Sequence, residues 1–244
     1  MNKVLYSNGD SVTWGAELEN KENERFSSII SSKLGWVDCN NASSGVSNDY
    51  IYRQTLRDVT HWLQYKTIWS EKSGWVESSD LFVLIGWTAP TRFEWWGGNE
   101  YNQERLWVDY DKWGSSDNDK VANNMVLINQ TMNTPSYIRT FNHIISLSSF
   151  LEINQIPYYF FNTFYEYVIP TEPTQKIDKF GKKEFQTGLD VLWKFIPESM
   201  KGETMFSYIK RKNGDFLPRK HPSANSHKLW VDWLLEDVIS NEKR

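Results

Sequence analysis

The chain predicts an α/β fold: a doubly wound parallel sheet with helices on both faces. Three observations carry this. Short apolar runs, too brief for helices, alternate with longer stretches of helical periodicity. Several runs stop abruptly in small polar residues, as strands do where they hand the chain to loops at the carboxyl edge of an open sheet. One run, Leu81-Phe82-Val83-Leu84-Ile85, is apolar throughout instead of alternating, which suits a parallel strand covered on both faces.

Taken in order, Val4-Leu5-Tyr6 predicts a central strand that ends in the turn Gly9-Asp10-Ser11. Phe26, Ile29, Ile30 and Leu34 fall at helical spacing over Arg25 to Leu34, with Gly35 as the C-terminal cap. Trp36 to Asn40 reads as a second strand, followed by a polar turn through Asn48. A second helix is predicted from Asp49 to Tyr65, with Ser47 or Asn48 as its N-cap. The apolar run that begins at Leu81 closes in Gly86-Trp87-Thr88.

Thr134 and Pro135 read as the N-cap and first residue of a helix reaching about Asn154. Tyr158 to Thr163 is a further strand, Ile169 to Lys183 a loop, and Leu189 to Phe195 a short helix. A last helix turns Leu229, Trp230, Trp233, Leu234 and Val238 inward. No repeat or linker divides the 244 residues, so a single domain is expected over 1–244.

Composition narrows the function classes. A formal net charge of -4 argues against a surface built to neutralise phosphates, so nucleic acid is not an expected partner. Cys39 is the one cysteine and has no internal partner for a disulfide, which fits a reducing, cytoplasmic compartment. The N-terminus has no basic-then-apolar leader, and no run is long enough for a membrane span. No His/Cys cluster has metal-ligand spacing, and neither a Walker A pattern nor Gly-x-Gly-x-x-Gly follows a strand. Neither metal nor cofactor is expected.

Aromatic residues make up 16% of the chain, including thirteen tryptophans, and they cluster in an aperiodic stretch at about 89–119. That stretch follows a predicted strand end and reads as an insertion. It suits a hydrophobic mini-core, an oligomer interface, or a substrate wall of Arg92, Trp95 and Trp96 beside Trp87, which would stack on a sugar ring or cover an acyl chain.

Ser11 is the candidate nucleophile, because a serine at a tight strand-to-helix turn exposes its hydroxyl beside backbone amides. It needs a base, and the chain has four histidines, His61, His143, His221 and His227. The first two fall inside predicted helices. His221 and His227 precede or begin the last helix and are better placed.

Four blocks in order resemble those of the SGNH/GDSL hydrolase superfamily: Gly9-Asp10-Ser11, Gly45-Val46-Ser47-Asn48-Asp49, Ile85-Gly86-Trp87-Thr88, and His221-Pro222 through Ser226-His227. The resemblance spans nearly the whole chain. It implies a flavodoxin-like three-layer αβα fold, with Ser11 as nucleophile, His221 as base, and oxyanion donors at Ser11, Asn48 and Thr88. Three positions depart from the family pattern: Asn48 stands at its glycine, Thr88 at its asparagine, and Pro218 at its aspartate. Asp215, six residues before His221, is then the candidate acid, with a Ser-His dyad as the other option. The expected activity is hydrolysis of an O-acyl ester, of a small molecule or a carbohydrate. A non-catalytic binding module and an acyltransferase on the same scaffold are the alternatives.

Overall fold

The computed structural model describes residues 2–70, 72–90, 92, 133–167 and 191–236. Strand β1 (Asn2–Gly9) lies between β2 (Val37–Asn40) and β4 (Gly74–Trp87), parallel to both, and β5 (Tyr158–Asn162) runs parallel along the other side of β4. The parallel order is therefore β2-β1-β4-β5. Strand β3 (Thr67–Ser70) pairs antiparallel with the first residues of β4. That hairpin was not predicted, and it extends β4 seven residues before Leu81.

The parity of the strands builds the layers. Val4 and Tyr6 on β1 and Val83 and Ile85 on β4 face one core cluster, which holds Ile51 and Val59 of α4 (Asn48–Tyr65) and Phe141 and Ile144 of α5 (Asn133–Ile153). Leu5, Phe82 and Leu84 face the opposite cluster. It holds Phe26 and Ile30 of α3 (Phe26–Leu34), Ile209 of α6 (Met205–Arg211) and Trp230 and Val231 of α7 (Ala224–Leu234). Both faces of the sheet are covered, which is why the central strands read as unbroken apolar runs.

Helix ends follow local chemistry. The Ser47 side chain accepts from the Tyr50 N–H to start α4, Ser223 does the same from Ser226 to start α7, and Gly35 ends α3 at φ 68. Helix α5 begins at Asn133, so Thr134 and Pro135 fall inside its first turn instead of at its cap. Leu229 is half-buried on α7 while Trp230, Val231 and Leu234 are buried. Two short helices lack any long apolar period and were not predicted: α2 (Lys21–Glu24) and α6. Among the described residues no helix is long and apolar enough to cross a membrane. The aromatic stretch after Arg92, the loop from Ile169 to Lys183 and Val238 lie outside the described residues.

Candidate active site

Gly9 and Gly86 are paired at the carboxyl ends of β1 and β4. A Cβ on Gly9 would lie 2.2 Å from Thr13 Oγ1 and 2.7 Å from the Gly86 carbonyl oxygen, so only glycine lets the two strand ends close and the chain turn. The next residue, Asp10, is fully buried: its carboxylate accepts from the Val12 N–H at 3.0 Å, capping α1 (Ser11–Trp14), and from Thr163 Oγ1 at 3.0 Å. Ser11 is thus the first residue of a helical turn tied to the ends of β1 and β5. Its backbone N–H is among those a helix start leaves without an intrahelical partner.

His221 reaches Ser11 from a tight loop. Lys220 N–H donates to the Leu217 carbonyl and Leu217 N–H to the His221 carbonyl, while Phe216 and Pro222 form a bridge at the loop's base. This presents the imidazole with Nε2 3.0 Å from Ser11 Oγ. The other ring nitrogen, Nδ1, lies 2.6 Å from Glu17 Oε2. A carboxylate only accepts, so Nδ1 carries the proton and Nε2 is the acceptor for the Ser11 hydroxyl. Glu17, His221 and Ser11 form one hydrogen-bonded line.

Glu17 was not among the expected site residues, and Asp215 was. The chain brings Glu17 back because Gly15 ends α1 at φ 84 and Glu17 itself adopts φ 67. Its second oxygen accepts from the Arg219 N–H at 3.0 Å, so one carboxylate holds both the ring and the loop that carries it. Partial burial pushes the Glu17 pKa up, but the bonds from His221 and Arg219 outweigh it and leave the group below the ordinary carboxylate range. Lys220, beside His221, is also left-handed at φ 69. Non-glycine residues held in that region cost about 1–3 kcal/mol each and gather at functional sites.

Asp215 has other work: its carboxylate accepts from Ser223 Oγ at 2.6 Å and Ser226 Oγ at 3.3 Å, bracing the start of α7. The Ser223 bond above all holds its pKa low. His227 is also displaced from the expected site. It is fully buried against Phe26, and its Nδ1 accepts the Phe26 N–H at 3.2 Å, which leaves that nitrogen unable to take a serine proton. Burial, reinforced by the nearby His221, drives its pKa down to about 3.

The expected oxyanion donors are arranged differently from the resemblance. The Asn48 side chain is consumed: Oδ1 accepts the Thr88 N–H at 3.0 Å and Nδ2 donates to the Thr88 carbonyl at 2.9 Å. Its backbone N–H, at the first turn of α4, is what it has to offer. Thr88 is fully buried, and its hydroxyl oxygen accepts from Arg92 Nη1 at 2.7 Å. The same guanidinium nitrogen lies 3.6 Å from Asp10, next in the chain to Ser11, while the guanidinium sits over the Phe164 ring at 4.9 Å. A cation therefore lies between Asp10 and Thr88, which follow the ends of β1 and β4.

Trp87 does not face substrate. It is fully buried, with its ring edge-on to Phe160 at 5.7 Å, because it shares the parity of Val83 and Ile85 and so points into the α4–α5 core. Trp95 and Trp96 lie outside the described residues.

The model of a family described as "Family of unknown function (DUF6071)" matches residues 11–244. No curated protein matches the sequence. Among solved structures the chain is similar to TesA, at 9% identity and TM-score 0.48 over 96% of this chain and 97% of that one. It is similar to the psychrotrophic esterase EstA from Pseudoalteromonas sp., at 10% identity and TM-score 0.49 over 100% of both chains. A carbohydrate esterase matches at 13% identity and TM-score 0.45, over 98% of this chain and 65% of that one.

Proposed function

The chain belongs to the DUF6071 family, and we propose that it is a serine hydrolase that cleaves an O-acyl ester of a small molecule or carbohydrate through an acyl-Ser11 intermediate. The observation that carries this is the line Glu17 Oε2, His221 Nδ1 and Nε2, Ser11 Oγ, with separations of 2.6 and 3.0 Å. A serine hydroxyl is a poor nucleophile until a base in hydrogen-bond reach takes its proton as it attacks.

In the first half-reaction Ser11 Oγ bonds to the ester carbon while its proton passes to His221 Nε2. Glu17 stabilises the imidazolium without taking a proton. The backbone N–H groups of Ser11 and Asn48 receive the carbonyl oxygen as it becomes an oxyanion, with the Arg92 cation nearby to favour that charge. The carbon–alkoxy bond then breaks, and the His221 proton leaves on the alcohol. In the second half, water gives a proton to His221 and attacks the acyl carbon; the acid departs and Ser11 recovers its proton.

A non-catalytic binding module remains the second reading, because the Asn48 side chain and the Thr88 backbone are spent on each other. A fluorophosphonate probe separates the two. The hydrolase reading expects stoichiometric labelling at Ser11, abolished in Ser11→Ala and strongly slowed in His221→Ala. An unlabelled wild-type protein that also fails to turn over 4-nitrophenyl acetate would be a binding module.

A further inference from the structure

A concavity of about 630 Å³ opens between the loop after β2, one face of α4 and the β3–β4 hairpin. None of Ser11, Glu17 or His221 lines it; Trp14, at the end of α1, is its approach to them. Its volume falls in the range of small-ligand sites, roughly 300–1,000 Å³.

The outer wall is aromatic and turned to solvent. Trp69 and Trp75 are directly opposed across the antiparallel pair, are 48% and 59% exposed, and meet edge to face at 5.6 Å. His61 of α4 packs on Trp75 at 4.6 Å. Large rings left in water on a strand edge forgo the burial that a core position would provide and expose an apolar patch.

Beside Trp14, Ala42, Tyr50 and Ile68, the remaining lining is a hydrogen-bonded polar cluster. Asp58 accepts from the Tyr6 hydroxyl at 3.0 Å, Asn41 Nδ2 at 3.0 Å, Gln54 Nε2 at 2.9 Å and Arg57 Nη2 at 3.1 Å. Its charge is thereby compensated, and the amides around it are held in place. Asn41 and Gln54 also carry amide carbonyl oxygens that accept hydroxyl protons.

We infer that this groove binds a neutral saccharide. The exposed indole faces stack on the apolar C–H face of a pyranose ring, and the fixed amides take its hydroxyls, two demands that a sugar meets together. Because Asp58 is already matched by Arg57 and three neutral donors, an uncharged ligand is favoured over an anion or a cation. The inference stands on the groove's own geometry and does not require Ser11 to be active.

Affinity electrophoresis tests it, with native gels cast with xylan, glucomannan, mixed-linkage β-glucan or dextran. Wild-type protein is expected to be retarded in at least one gel, and Ser11→Ala equally so, because Ser11 does not line the groove. Trp69→Ala combined with Trp75→Ala should weaken retardation at least about tenfold. Gln54→Ala, away from the hairpin, should weaken it several-fold, with circular dichroism showing both variants folded. Failure of all four polysaccharides to retard the wild type overturns the proposal, as does undiminished retardation of the folded double variant. Light scattering that shows a wild-type dimer split to monomers by the double variant also overturns it, by giving the groove to a second copy of the chain.

Discussion

Glu17 Oε2 approaches His221 Nδ1 to 2.6 Å while Glu17 Oε1 takes the Arg219 N–H at 3.0 Å, so one carboxylate orients the imidazole and anchors its loop. Glu17→Gln keeps the size of the side chain but removes the charge that fixes the tautomer and stabilises the imidazolium. Its kcat on 4-nitrophenyl acetate should fall by about 10³- to 10⁴-fold. Asp215→Asn should leave kcat within a few-fold and lower the melting temperature, because Asp215 braces the start of α7. The reverse pattern in steady-state kinetics would return the acid's role to Asp215.

Arg92 offers a test of the proposed oxyanion site, where Thr88 stands in place of an asparagine. If its guanidinium favours the developing charge, Arg92→Ala should lower kcat by about 10²-fold with a smaller change in KM. A rise in KM alone would place the cation on the bound ester and not on its transition state.

His227 supplies a pH dependence of stability. In the unfolded chain it takes up a proton below its ordinary value of 6.5, whereas in the fold burial keeps it neutral down to about 3. Between those values the unfolded chain binds more protons, so stability rises with pH and is lost on acidification, by at most about 1.4 kcal/mol per unit. His227→Asn preserves an acceptor for the Phe26 N–H and removes the titration. Urea unfolding from pH 6.5 to 4 should show a shallower slope in the variant; equal slopes would exclude His227 as the source.

Two glycines should behave differently on substitution. Gly9→Ala forces a Cβ against Thr13 Oγ1 and the Gly86 carbonyl, two residues before Ser11. It should cost about 1–3 kcal/mol and reduce turnover together with stability. Gly35→Ala meets nothing within 4 Å but sits at φ 68, so it should cost about 1–2 kcal/mol and leave kcat unchanged. Thermal melts paired with initial rates read both.

Much of the architecture was legible because period and burial agree. Leu81 to Ile85 and Phe26 to Leu34 bury the faces their spacing assigns. The β3–β4 hairpin was illegible because its aromatic residues, Trp69 and Trp75, point outward, inverting the usual link between apolar character and burial. Ser11 and His221 come together as their sequence blocks suggest. Glu17 did not show itself, since no spacing rule announces that two left-handed turns, at Gly15 and Glu17, will fold it back. The available clue was an acid just beyond the glycine that ends α1. The position of Trp87 at a strand end suggests a site residue, whereas its parity with Val83 and Ile85 assigns it to the core.

The residues of the hydrogen-bonded line are far apart along the chain, 204 positions between Glu17 and His221 and 210 between Ser11 and His221. Closing so long a loop is entropically unfavourable, and contacts of such separation slow folding. β1 finds both its sheet neighbours within the first 86 residues, so the scaffold around the serine can assemble well before its base arrives. If Ser11 is acylated as proposed, ester turnover reports the docking of His221 at the end of β1. Recovered turnover should lag recovered sheet signal by a measurable interval when the denatured chain is diluted into buffer.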